Sequence, residues 1–349
     1  MKIYRFFPLL FIGLLTLLSC THKLTAEGQN DIQIESSFTI DQVPLVKEQM
    51  LPLDEHHLSY KKETLDFFHH YGADQVPGSL EFAWFQSGEQ KMASYLFRPA
   101  VESPKGTVYL LHGYLDHTLS NSKLIKFLVE QEYNVAAFDM AGHGFSGGDS
   151  VDIDDFSEYA YCFKRFKNLT EESLDGPYFA LGHSTGSSVI LEYLNLYPND
   201  FTALILASPL LKAVGWRITP LVLALASPFT DEVGRRFGGS SSNKEHEDFK
   251  EYNDPLQSRT IPFNWVYASM NWSDRMELIP PREDLSLYIL QGKKDRTVDY
   301  RQNISLLMEK YTRSDVIYYE EGKHSLFNEL PPIRDKVFQD ILQILEKDS

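Results

Sequence analysis

The chain opens on an apolar run, residues 6–18, behind Lys2 and Arg5, closing on Leu17, Leu18, Ser19 and Cys20. The run is too short to span a bilayer comfortably and reads as a signal peptide. Polar residues without periodicity follow from Thr21 to Asp41, as in a tether. From Leu80 onward, short runs rich in β-branched and aromatic residues alternate with amphipathic stretches. Residues 80–85 and 92–97 predict a hairpin. Residues 107–111, 134–138, 178–181, 201–207, 285–290 and 316–319 predict buried strands. Residues 122–130, 152–168, 184–197, 300–311 and 333–346 predict helices. Strands alternating with helices place the chain in the α/β class, with a mostly parallel central sheet flanked by helices.

The alternation fails across 208–281, where Pro, Gly and Ser breakers replace strands, so this stretch is expected to be a helical cap insertion. Its first part, 210–229, is apolar, but Lys212, Arg217, Pro220 and Pro228 break it and a membrane span does not fit. The expected organisation is a signal peptide at 1–19, a lipidated N-terminus and polar tether at 20–50, a core at 51–207 and 282–349, and the cap between the two core segments.

With 349 residues, 43% of them hydrophobic and 23% charged, the chain can bury a full core. Its formal charge of −16, from 33 basic and 49 acidic residues, makes nucleic acid an unsuitable partner. Loss of Lys2 and Arg5 with the leader deepens that charge by two. Such a surface is not drawn to anionic lipid, so any hold on a membrane must come from an anchor. The segment ending at Cys20 resembles the lipobox of bacterial lipoproteins, which implies cleavage before Cys20 and lipidation of its thiol. The same resemblance implies a membrane-anchored place in the cell envelope, at the outer membrane of a Gram-negative host because Thr21 is not Asp. Cys162 is then left without an intramolecular partner and reads as a small buried hydrophobe. The adjacent pairs His56–His57 and His69–His70 make poor chelates, since neighbours on a helix or strand point apart, and no metal site is expected.

The chemistry centres on Gly182-His183-Ser184-Thr185-Gly186, which follows a predicted strand and precedes a predicted helix, the context of a nucleophile elbow. A serine hydroxyl is a weak nucleophile until a base takes its proton and an acid orients that base. In this arrangement the acid and then the histidine follow the serine in the chain. After Ser184 the histidines are His246, inside the cap, and His324, in the loop behind the last strand, so His324 is the candidate base. Asp295, in the turn behind the next-to-last strand, is the candidate acid. Asp299 is the fallback, and its position equally suits a helix N-cap. The backbone N–H groups of Tyr114 and Thr185 are the candidate oxyanion hole. This chemistry needs neither metal nor cofactor.

Leu111-His112-Gly113, the run from Asp139 to Ser146, the Ser184 pentapeptide, Gln291–Asp295 and Gly322-Lys323-His324 occur in the same order as the motifs of the lysophospholipase and monoacylglycerol lipase group of α/β hydrolases. The chain resembles that group, bacterial members in particular. The resemblance implies an α/β-hydrolase fold, a structural role for His143, and hydrolysis of a monoacyl glycerolipid, a lysophospholipid or monoacylglycerol, through an acyl-serine intermediate. Thr185 stands where the group usually has Met. A peptidase or small-ester hydrolase on the same fold is the enzymatic alternative. A non-catalytic lipid-binding envelope lipoprotein is the other. In the cap, Trp216, Leu221, Val222, Leu223, Leu225 and Phe229 are expected to shelter an acyl chain. The cap itself is expected to choose the substrate without contributing to bond breaking.

Overall fold

A computed structural model describes residues 38–55 and 59–347. The leader, Cys20, the tether up to residue 37 and the pair His56–His57 lie outside the described residues. The strands are β1 (Leu51–Pro52), β2 (Ser79–Ser87), β3 (Gln90–Arg98), β4 (Thr107–Leu111), β5 (Asn134–Phe138), β6 (Tyr178–His183), β7 (Ala203–Ala207), β8 (Glu232–Gly234), β9 (Thr260–Pro262), β10 (Tyr288–Gly292) and β11 (Asp315–Tyr319). The helices are α1 (Val43–Gln49), α2 (Lys62–Tyr71), α3 (Ser122–Glu130), α4 (Phe156–Thr170), α5 (Thr185–Leu196), α6 (Thr219–Ala226), α7 (Lys244–Asp248), α8 (Phe263–Leu278), α9 (Tyr300–Lys310) and α10 (Pro331–Lys347).

The main sheet runs in the order β1-β2-β3-β5-β4-β6-β7-β10-β11. β2 and β3 form the expected antiparallel hairpin, β3 meets β5 antiparallel, and the strands from β5 to β11 pair in parallel. Side chains along β4 alternate between two cores. Tyr109 and Leu111 meet α4, α5 and α8 on one face, while Val108 and Leu110 meet α2, α3 and α10 on the other. A central strand buried on both sides carries mostly apolar residues, so Val108–Leu111 reads as a continuous apolar run, and the buried Thr107 hydroxyl at the strand's start is satisfied by donating to Asp175 O at 2.7 Å. The register sets Leu111 opposite Gly182, His183 opposite Ala207 and Leu290 opposite Ala207. The carboxyl ends of four strands therefore stand at one level, and the loops behind them meet there.

Several boundaries differ from expectation. Packed chain is already present at Phe38, ahead of the expected core start at 51: Phe38, Val46 and Met50 are buried, and the Phe38 ring lies 5.4 Å from that of Phe67 in α2. Isolated apolar residues among polar ones carry no periodic signal. Helix α4 starts at Phe156 because Asp155 caps it, its carboxylate accepting from Ser157 N at 2.8 Å. β10 begins at Tyr288, where β7 and β11 offer partners, although Leu285 and Leu287 are already buried. β11 is an edge strand with Tyr318 exposed, so it is less buried than its apolar run suggests.

Between β7 and β10 the chain leaves the sheet and builds α6, the β8–β9 pair, α7 and α8 over its carboxyl edge. Helix α8 buries Trp265, Ala268, Trp272 and Met276, a stripe at helical spacing, against the core. Helix α6 does the reverse. Of the residues expected to shelter an acyl chain, Leu223 is buried, whereas Leu221, Val222, Leu225 and Phe229 reach solvent, Phe229 with 87% exposure. Among the described residues, no helix is long and apolar enough to cross a membrane.

Candidate active site

Ser184 stands between β6 and α5 at φ 52° and ψ −113°, a conformation that L-residues rarely adopt and that persists only where the surroundings impose it. They do so here through Ser184 N, which donates to Ala207 O at 2.8 Å, and through two glycines. A Cβ on Gly186 would lie 2.3 Å from Leu111 O, and one on Gly182 would lie 2.5 Å from the Gly186 main chain. Without side chains there, strand and helix close tightly enough to hold the hydroxyl up at the sheet edge.

The loop behind β11 brings His324 to that hydroxyl, and the turn behind β10 brings Asp295 to His324. Ser184 Oγ lies 3.0 Å from His324 Nε2, and His324 Nδ1 lies 2.8 Å from Asp295 Oδ2. All three residues are buried. Burial opposes ionisation of Asp295, but the His324 ring and the N–H groups of Thr297 and Val298 outweigh it and hold the carboxyl below its usual range. An ionised Asp295 accepts the proton on Nδ1, which leaves Nε2 free to accept from Ser184. Asp299 is elsewhere, capping α9 by accepting from Gln302 N.

Sequence reasoning missed two residues that hold His324. Its carbonyl accepts from His183 Nε2 at 3.1 Å and from Ser208 Oγ at 2.8 Å. Burial, reinforced by the nearby His324, pushes His183 down to about 4, so it is a neutral donor. His183 lay in view inside the pentapeptide; Ser208 carried no local signal.

Beside the hydroxyl runs the loop behind β4. A Cβ on Gly113 would lie 2.9 Å from His183 Nδ1 and 3.3 Å from Ser184 Cβ, so a glycine lets this loop approach without displacing the His183 ring. His112 accepts from Met140 N through Nε2 at 2.9 Å and donates from Nδ1 to Gly113 O at 2.8 Å. Fixing that carbonyl fixes the other side of the same planar peptide, the Tyr114 N–H. Among the described residues, neither the Tyr114 amide nor the Thr185 amide donates a hydrogen bond, and both are left for an incoming oxygen. His143 is not part of the triad: its Nδ1 donates to Ala141 O at 2.8 Å, and burial, with His112 nearby, pushes it down to about 3. Cys162 is buried beside Ser87, its thiol pushed up to about 11 by burial. A hydroxyl poised on an imidazole nitrogen, with two unengaged amides beside it, is equipped to attack a carbonyl and stabilise the resulting oxyanion.

The family model described as "Serine aminopeptidase, S33" (Hydrolase_4) matches residues 102–331. The chain is 28% identical over 256 residues to the monoglyceride lipase of Homo sapiens, covering 68% of this chain and 82% of that one. It is 22% identical over 320 residues to a probable lysophospholipase L2 of Haemophilus influenzae, covering 81% of this chain and 98% of that one. A soluble variant of monoglyceride lipase from Saccharomyces cerevisiae, solved with a substrate analogue, superposes with a TM-score of 0.68 at 20% identity, covering 78% of this chain and 97% of that one. With the sheet order and the Ser184 elbow, these likenesses make the chain a member of the Hydrolase_4 family, a serine hydrolase on the α/β-hydrolase fold.

Proposed function

We propose that this protein hydrolyses the ester bond of a monoacyl glycerolipid, a monoacylglycerol or lysophospholipid, through an acyl-Ser184 intermediate. The observation that carries the reading is the unbroken chain from Ser184 Oγ through His324 to Asp295, at 3.0 and 2.8 Å. In this reading Ser184 attacks the acyl carbonyl as His324 takes its proton, and the Tyr114 and Thr185 amides receive the oxyanion. His324 then returns the proton to the departing glycerol oxygen. Water repeats the sequence to free the fatty acid. Asp295 holds the imidazole in the right tautomer and stabilises its charged form.

The lipid substrate draws support from the relatives, which are named as monoglyceride lipases and a probable lysophospholipase. The outward apolar side of α6 also suits work at a lipid surface. An aminopeptidase would need a carboxylate to receive the substrate's amino terminus. Two acidic groups at the Tyr114 loop are instead engaged, Asp116 with Lys250 and Asp254 with His117. Labelling with a fluorophosphonate and a turnover panel of monoacylglycerols, lysophospholipids, short esters and aminoacyl amides test the reading. Ser184→Ala should abolish both label and ester turnover in folded protein, and retention of a tenth of wild-type turnover would refute the assignment. We further propose that the mature chain begins at a lipidated Cys20 that holds it on the envelope membrane. Cys20→Ser should release it to the soluble fraction, and persistence on the membrane after a high-salt wash would refute the anchor.

A further inference from the structure

Four consecutive residues of the loop that carries the Tyr114 amide are held by three parts of the cap. The Tyr114 ring stacks on Trp265 of α8, with centroids 3.5 Å apart and planes 12° from parallel. The Leu115 carbonyl accepts from Arg235 Nη1 at 3.3 Å, just beyond β8. Asp116 pairs with Lys250 at 2.9 Å, and His117 pairs with Asp254 at 3.2 Å, in the segment behind α7. The last two pairs are expensive to bury. Lys250, His117 and Asp254 are all removed from solvent, and Asp254 also accepts from the Tyr71 hydroxyl at 2.5 Å and from Gln257 Nε2 at 2.9 Å. The loop needs such restraint, because Leu115 has φ 63°, a strained value for a branched side chain. On the core side, His112 fixes the Gly113 end of the loop, the Tyr114 hydroxyl donates to Val151 O at 2.8 Å and Thr118 N donates to Asp139 Oδ1 at 2.8 Å, so the main chain of residues 115–117 between these points is left for the cap to hold.

We propose that the cap is part of the oxyanion machinery. In it, Trp265, Arg235, Lys250 and Asp254 are positioning residues that clamp 114–117 so that the Tyr114 amide points at the oxygen developing on the Ser184 adduct. This rests on the reading of Ser184, His324 and Asp295 as an ester-hydrolysing triad. It reverses the expectation that the cap only selects the substrate. None of the four touches the reacting atoms, and each acts through the loop. A cap that served only to admit acyl chains would have no reason to spend buried charge on these successive residues.

The test uses the full-length protein in detergent micelles, with a butyrate ester too short to need an acyl pocket and butylboronic acid as a probe of the tetrahedral adduct. Removing an oxyanion donor costs roughly 100- to 1,000-fold in kcat, so a donor displaced but still present should cost about 10-fold. Folded Lys250→Met should therefore lose about 10-fold in kcat with KM within about twofold, lose boronate affinity by the same factor, and be largely restored in Lys250→Arg. Should Lys250→Met fail to fold with Asp116 left unpaired, the double variant Asp116→Asn/Lys250→Met removes both charges and carries the same expectation. A folded variant with wild-type kcat on the short ester and unchanged boronate affinity overturns the proposal. If wild-type protein itself takes no fluorophosphonate on Ser184 and turns over no ester, the underlying reading fails instead.

Discussion

Replacing Asp295 by Asn tests the triad at its most constrained point. The carboxylate accepts four hydrogen bonds: Thr297 N at 2.8 Å and Val298 N at 3.1 Å on Oδ1, Gln291 Nε2 at 3.1 Å and His324 Nδ1 at 2.8 Å on Oδ2. An isosteric amide offers one oxygen where two are needed. The two main-chain donors cannot turn away, so the amide oxygen stays with them and its NH2 group faces Gln291 and His324. Gln291 can reverse toward the new NH2 only by giving up the bond that its Nε2 donates to Gly292 O at 2.9 Å. His324 must then present an unprotonated Nδ1 and carry its proton on Nε2, aimed at Ser184, where it can no longer accept. The same change of tautomer in a serine protease lowers kcat by roughly 10,000-fold, about 5.5 kcal/mol of barrier, and a loss of that order is expected here. The disturbed hydrogen bonds should cost a further ~1–3 kcal/mol of stability. Asp299→Asn keeps a good helix cap, so its turnover should stay within about twofold of wild type. The assay is kcat/KM for a short ester from acid to alkaline pH, with circular dichroism to establish folding. Retention of more than a tenth of wild-type activity in Asp295→Asn, or a larger loss in Asp299→Asn, would remove Asp295 from its proposed role.

Other expectations follow from packing and burial. Gly186→Ala should cost ~3 kcal/mol or more, since its Cβ meets main chain at 2.3 Å, whereas Gly234→Ala, with open space around it and no positive φ, should cost no more than about 1 kcal/mol; equal melting temperatures would contradict the close-approach argument. His183 and His143 are buried neutral, pushed to about 4 and about 3 from an ordinary 6.5, so the unfolded chain binds protons there that the folded chain does not. Stability measured in urea should therefore fall as pH drops from 6.5 toward 4, less steeply in His183→Gln, and a flat profile over that range would refute the burial account. Burial opposes protonation of His117, but Asp254 holds it above its usual value, so its stabilisation is fully present below 6.5 and is lost as pH rises through the raised value. Leu221→Ser and Leu225→Ser should change stability by no more than about 0.5 kcal/mol and leave short-ester turnover intact, while Leu223→Ala should cost ~2–5 kcal/mol; a large loss in either exposed variant would mean that α6 packs differently.

The parts of the protein legible in its sequence are those whose signal is local or set by chain order. Gly182 and Gly186 bracket Ser184 within five residues, and the turn carrying Asp295 and the loop carrying His324 follow their strands in the order the fold requires. Central strands such as β4 and β5 were readable to the residue, because burial on both faces favours apolar side chains, and their buried polar residues, Thr107 and Asn134, stand at the strand starts and hydrogen-bond to each other. Tertiary structure decided whatever depends on partners distant in the chain. The start of β10 follows from where β7 and β11 offer hydrogen bonds, and the packing of Phe38 and α1 from a surface that α2 completes. An apolar run does not encode which way a helix faces, so α6 could turn Leu223 inward and Leu221, Leu225 and Phe229 to solvent. The clamp on residues 114–117 joins positions more than a hundred residues apart, from Tyr114–Trp265 to His117–Asp254. Lys250 and Asp254 lie in a polar stretch that reads as solvated surface, and only the folding of the cap onto the sheet edge removes them from water and turns ordinary charges into buried pairs.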